Sequence, residues 1–165
     1  NMFGRAYRDC YAAHRPKYGC LRLLGHITGE PKAYQYGKCF ITLAANVRRR
    51  TTIYHRDTSL SFGSRFETNQ ASMTLGTLDC CAHVLHAFTD EEWKYLLDSL
   101  SGRRPSTTDV GLVEYKEIQV HGPIRVDTDI AGLTLAVSKE SADRNLREAV
   151  DKIKKLSGCK VTWLA

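Results

Sequence analysis

The chain has 165 residues, 42% of them apolar and 25% charged, with a formal net charge of +6. These values fit one soluble globular domain able to bury a core. No run approaches the roughly 18 apolar residues of a membrane span, and no apolar signal-peptide segment opens the chain, so a membrane is excluded from the expected partners.

In chain order, residues 2–13 predict a short helix, closed at Arg15-Pro16 because a residue before proline is pushed out of helical space. Residues 18–24 predict a strand, and residues 25–36, punctuated by Gly25, Gly29 and Pro31, a loop. Residues 39–43 and 51–55 are rich in β-branched and aromatic side chains and predict strands, joined by a tight basic connection through Arg48, Arg49 and Arg50. Residues 57–74 predict a long ordered loop. A helix is expected over 78–88, with Leu78, Cys81, Ala82, Leu85 and Phe88 on one side. Thr89-Asp90-Glu91-Glu92 has the form of a capping box and starts a helix whose expected inward face is Trp93, Leu96, Leu97 and Leu100, ended by Gly102.

Residues 112–120 predict a strand, and 124–126 and 133–137 are expected to extend its sheet. A last helix over 141–157 turns Leu146, Val150, Ile153 and Leu156 inward, with Gly158 just past its end, and residues 159–164 close as a strand. Helices and strands do not alternate as a parallel βαβ fold requires. The expected class is therefore α+β, one domain over 1–165 with a mixed or antiparallel sheet and flanking helices.

The most informative segment runs from Glu114 to Pro123. Strand parity sends Val113, Tyr115, Glu117, Gln119 and His121 to one face and Glu114, Lys116, Ile118 and Val120 to the other. A row of Tyr, Glu, Gln and His is a poor core stripe and a good cleft floor. A glutamate there can hold a sugar hydroxyl or stabilise developing positive charge, with Gln119 and His121 as hydrogen-bonding neighbours. The plainer alternative is an edge strand with a solvated polar face.

Charge is uneven: residues 1–56 hold 11 Lys/Arg against Asp9 and Glu30. A basic front end favours an anionic ligand such as nucleic acid, a phosphate-bearing cofactor or an acidic protein surface. The six cysteines form no regular framework and no C-x-x-C pair, so free thiols and a reducing compartment are expected. Cys80, Cys81, His83 and His86 lack the second ligand pair of a structural zinc site, and no metal is expected. No Walker loop, dinucleotide-binding glycine motif, zinc-protease helix or serine-nucleophile elbow occurs, and His55-Arg56-Asp57 lacks every other kinase context.

Several blocks together resemble an uncharacterised bacterial domain family with the patterns FGGAY, RPKYGAL, RTT followed by a GDS-like turn, and a late EAQ-HG strand. Here they read Phe3-Gly4-Arg5-Ala6-Tyr7, Arg15-Pro16-Lys17-Tyr18-Gly19-Cys20-Leu21, Arg50-Thr51-Thr52 with Asp57-Thr58-Ser59, and Glu117-Ile118-Gln119-Val120-His121-Gly122. The order holds over residues 3–125, with a threonine inserted in the GDS-like turn. Blocks that precede these in the family have no counterpart here. With Asn1 ahead of Met2 looking foreign to a native start, the native start is unknown, and whether residues upstream complete the site stays open.

The same pattern resembles a divergent ADP-ribosyltransferase domain: an Arg or His on an early strand, a Ser/Thr-rich strand in the middle and a Glu on a late strand. The resemblance implies NAD as substrate, with Arg15 or the Tyr18-Gly19 pair as the first element, Thr51-Thr52 with Ser59 as the second, and Glu117 as the catalytic third. It also resembles a secreted effector family that modifies a threonine of ubiquitin, which implies a host protein substrate, ubiquitin a candidate, and action in the host cytoplasm. In that setting Arg15 would fork onto the pyrophosphate, Tyr18 or Phe40 would lie against the nicotinamide, and Gln119 or His121 would orient the acceptor. Glu117 would stabilise the oxocarbenium-like charge that builds as the nicotinamide–ribose bond breaks, with Glu114 in reserve on the opposite face. Two alternatives are an NAD glycohydrolase, with water as acceptor, and a basic module binding RNA or an acidic protein. Nucleic acid is the weaker partner, because Arg48-Arg49-Arg50 lacks interleaved aromatics.

Overall fold

The computed structural model of the chain describes residues 7–22, 31–55, 76–103 and 116–164. Ser59, Glu114, Tyr115, the loop expected over 57–74 and the ends of the first expected helix and strand lie outside them. The chain divides into two compact units, one of residues 16–26 and 48–121, the other of residues 1–15, 27–47 and 122–165. Both mix helix and strand, and the α+β class holds.

The first of these units is built on a four-stranded antiparallel sheet. Its strands are β1 (Lys17–Cys20), β3 (Thr51–Tyr54), β4 (Gly76–Thr77) and β5 (Glu117–Val120), in the order β1-β5-β3-β4. Strand β5 is thus interior, flanked on both sides, and not the edge strand of the plainer expectation. Its register aligns Gln119 with Tyr18 on β1 and with Thr52 on β3, and Glu117 with Cys20 and Tyr54. Directly paired residues share a face, so this register decides which side chains meet.

The opposite face carries the core. Ile53, Leu78, Ala87, Phe88 and Leu96 form a buried cluster, joined by Leu21, Val84, Trp93 and Ile118. Two helices supply part of it: α1 (Cys81–His86) and α2 (Asp90–Leu100). Helix α1 is shorter than expected, because Leu78 precedes it in the turn after β4. The His83 ring locks that turn, its Nδ1 accepting from the Thr77 N–H at 3.0 Å. A Cβ added at Gly76 would collide with the Cβ of His83. Gly76→Ala is therefore expected to cost about 1–3 kcal/mol in urea unfolding, as overpacking does.

The capping box at the start of α2 forms as expected. The Glu92 N–H donates to Thr89 Oγ1 at 3.2 Å and the Thr89 N–H to Glu92 Oε2 at 2.9 Å. Thr89→Ala should lower stability by about 1 kcal/mol in the same assay. The inward face of α2 differs from expectation: Glu92, Tyr95 and Leu96 are buried, whereas Leu97 and Leu100 are 60% and 80% exposed. The cause is an ion pair beneath the sheet. Lys116 Nζ donates to Glu92 Oε1 and Oε2, both at 2.7 Å, and to the His55 carbonyl at 3.0 Å, while lying 4.9 Å from the Phe88 ring centroid. Holding Glu92 inward turns the helix away from the purely apolar stripe.

The other unit has a three-stranded sheet, β2-β6-β7, of β2 (Phe40–Leu43), β6 (Ile130–Leu135) and β7 (Lys160–Trp163). Residues 124–126 do not extend a sheet. Val126–Asp129 is a single helical turn, α3, and Asp129 braces its start by accepting from the Arg125 N–H at 2.8 Å. Residues 133–137 belong partly to β6, in this second sheet rather than in that of β5. Strands β6 and β7 run parallel, connected by α4 (Arg144–Ser157), so one βαβ unit is present after all. Leu146, Val150 and Ile153 of α4 pack with Ile130, Leu133 and Cys159, while Leu156 is exposed. Gly158 ends the helix at φ 65°, where any other L-residue is strained. Residues 7–13 are not α-helical: only Ala12–His14 forms a 3-10 turn, ahead of an extended Arg15.

None of the six cysteines, all among the described residues, is in a disulfide; Cys159 is buried and Cys39 and Cys81 are exposed. No helix among the described residues is long and apolar enough to cross a membrane.

Candidate functional site

The polar face of β5 is a hydrogen-bonded row. Gln119 Nε2 donates to Glu117 Oε1, Thr52 Oγ1 donates to Gln119 Oε1 at 2.8 Å, and His121 Nε2 lies 3.0 Å from Thr52 Oγ1. The carboxylate sets the direction of the whole chain. The Glu117 carboxylate oxygen accepts from the amide NH₂, which turns the amide oxygen toward Thr52. Thr52 has one hydroxyl proton, spent on that oxygen, which leaves His121 Nε2–H as the donor to Thr52. Burial holds the His121 pKa below the ordinary histidine value, so the ring is neutral at pH 7 and this tautomer is available.

The Glu117–Gln119 end of the row is closed off from water. Glu117 is 4% exposed and Gln119 is fully buried. Both ends of the Gln119 amide are engaged within the protein. His121, half-buried, is anchored through its backbone: its N–H donates to the Arg50 carbonyl at 2.9 Å, and Arg50 Nη1 donates to the His121 carbonyl at 2.7 Å. One arginine of the basic Arg48-Arg49-Arg50 turn is thereby built into the site strand.

Tyr18 stands at the β1 side of the same face and is 60% exposed, opposite Gln119 in register. Partial desolvation, and then the Glu117 charge, push its hydroxyl above the ordinary tyrosine pKa. An exposed ring within the field of a buried carboxylate is a suitable wall for a cationic, planar ligand group.

Other expected residues take the opposite sheet face or belong to the other unit. Thr51 pairs with Val120, so its side chain takes the face opposite Thr52, and it is buried there. Alternation along a strand allows only one residue of the Thr51-Thr52 pair to join Glu117. Gly19 pairs with Ile118 on that opposite face, and a Cβ there would sit 3.5 Å from the Ile118 side chain. Arg15 and Phe40 belong to the other unit. Arg15 Nε donates to the Cys10 carbonyl at 3.3 Å, and Phe40 is half-buried on β2.

Three neighbours of the site were not anticipated: Tyr54 and Cys20, each opposite Glu117 in register, and Arg50 beside His121. Their sequence signal was only the parity of β1 and β3, which identifies neighbours once the pairing is known. Among the described residues no group of three or more His, Cys, Asp or Glu side chains is placed to hold a metal ion.

No curated protein matches the chain. A family model does, over residues 1–108, a stretch that holds Arg15, Tyr18, Gly19, Phe40, Thr51, Thr52 and Ser59 and stops short of Glu117, Gln119 and His121. The chain belongs to that family, whose description is Protein of unknown function (DUF3626).

Proposed function

We propose that the protein is a mono-ADP-ribosyltransferase that moves ADP-ribose from NAD to a protein side chain, with Glu117 as the catalytic carboxylate. The observation that carries this is the row Glu117–Gln119–Thr52–His121, in which hydrogen bonds hold one carboxylate on the floor of an interior strand. The bond from ribose C1′ to the nicotinamide nitrogen breaks, and its electron pair leaves with nicotinamide. Positive charge then spreads over C1′ and the ring oxygen. A fixed carboxylate stabilises that charge and accepts from a ribose hydroxyl. The acceptor forms the new bond at C1′ and loses its proton. Tyr18 is positioned to lie against the departing nicotinamide. His121 is the remaining polar group able to orient the acceptor, since Gln119 is committed to Glu117 and Thr52. Because Glu117 is 4% exposed, NAD binding has to uncover it.

The acceptor protein, with ubiquitin a candidate, and delivery as a secreted effector into a host cytoplasm follow from the sequence resemblance and complete the proposal. The test is incubation with labelled NAD, a cell lysate and purified ubiquitin, beside Glu117→Gln. A labelled protein band that disappears in the variant supports the proposal. Nicotinamide release without a labelled band makes the protein an NAD glycohydrolase. Absence of both NAD turnover and NAD binding sinks the enzyme and leaves a basic binding module.

A further inference from the structure

Among the described residues, the Tyr54 hydroxyl is the one buried side-chain polar group without a hydrogen-bond partner. Tyr54 is 1% exposed and lies opposite Glu117 in the β3–β5 register, so its side chain leaves the sheet on the Glu117 face, two positions along β3 from Thr52. A phenylalanine would fill nearly the same volume without burying an unpaired O–H, and the unmade bond therefore lowers the stability of the resting protein. The side chains of Gln119, Thr52 and His121 are hydrogen-bonded within the protein, whereas the Tyr54 hydroxyl is not.

We infer that the Tyr54 hydroxyl is a ligand-binding group, reserved to donate to a ribose hydroxyl oxygen of NAD beside Glu117. The assignment rests on the ADP-ribosyltransferase proposal and extends it to a second contact on the nicotinamide-side ribose. In the register, Glu117 and Tyr54 are direct neighbours on one face, so a sugar held by the carboxylate lies on the tyrosine's side of the sheet. Opening of the face on binding brings the ligand oxygen to a donor that has no protein partner to lose. Satisfying it on binding adds affinity without breaking an existing bond.

The test is Tyr54→Phe, read in two ways. Without ligand, the melting temperature is expected to be unchanged or raised. With NAD, calorimetric Kd and steady-state KM are expected to rise roughly fivefold to tenfold, the effect of one lost hydrogen bond, while kcat changes less than twofold. A lowered melting temperature would mean that the hydroxyl is already satisfied in the resting protein, and it overturns the inference. Unchanged Kd and KM in Tyr54→Phe, with a wild type that binds and cleaves NAD, overturn this inference alone. A wild type that neither binds nor cleaves NAD overturns both this inference and the transferase proposal.

Discussion

Lys116→Met is expected to destabilise the protein by about 3–5 kcal/mol, because it leaves the Glu92 carboxylate uncompensated in a site only a few per cent exposed. That is a large part of the roughly 5–15 kcal/mol that holds a typical domain together. The lysine has three partners, both Glu92 oxygens and the His55 carbonyl, and it also lies against the Phe88 ring. Removing it breaks the tie between the start of β5, the end of β3 and the first turn of α2. The double variant Lys116→Met/Glu92→Met removes both charges together. It should be less destabilised than Lys116→Met alone, retaining a deficit of about 1 kcal/mol for the lost capping box. Urea unfolding of the two single variants and the double gives the coupling energy directly. A double variant as unstable as the sum of the singles would show that the pair is not the clamp described.

Glu117→Gln should leave the fold intact and remove the proposed transferase chemistry. The amide has the shape of the carboxylate, and its oxygen can still accept from Gln119 Nε2, so the change in unfolding free energy should stay within about 1 kcal/mol. In the proposed mechanism, what disappears is the fixed negative charge beside the developing oxocarbenium. Loss of one preorganised electrostatic group of this kind costs about 10²–10³ in kcat. Single-turnover release of nicotinamide, measured beside the melting temperature, separates the two effects. A variant that melts like the wild type and retains full turnover would remove Glu117 from the mechanism, whatever the identity of the acceptor.

Neither result depends on the basic first third of the chain, which invited an anionic ligand on charge alone. Arg50 is tied to the His121 carbonyl, whereas Arg48 and Arg49 are exposed. Net charge therefore does not pick out the β5 row, whereas strand parity does. Charge counts residues without regard to their partners, whereas parity follows from backbone geometry that every strand obeys.

Local rules were enough for the features that local rules govern. Thr89 and Glu92 stand three apart and closed the capping box; Gly158 took the left-handed conformation past α4; Glu117, Gln119 and His121 fell on one face of β5 because side chains alternate along any strand. All of these depend on residues within a turn or two of one another. The inward face of α2 required Lys116, which is far along the chain and pulls Glu92 under the sheet against the apolar pattern of Leu97 and Leu100. The division into two sheets, with residues 133–135 leaving the sheet they were expected to extend, depended on pairing with β2 and β7. The choice of Thr52 over Thr51, and the presence of Tyr54 beside Glu117, came from the β3–β5 register. A slip of one residue would have exchanged the faces. Periodicity can say which side chains share a face of one strand. Only the pairing of strands distant in sequence, held by backbone hydrogen bonds and a buried core, says which faces become one site.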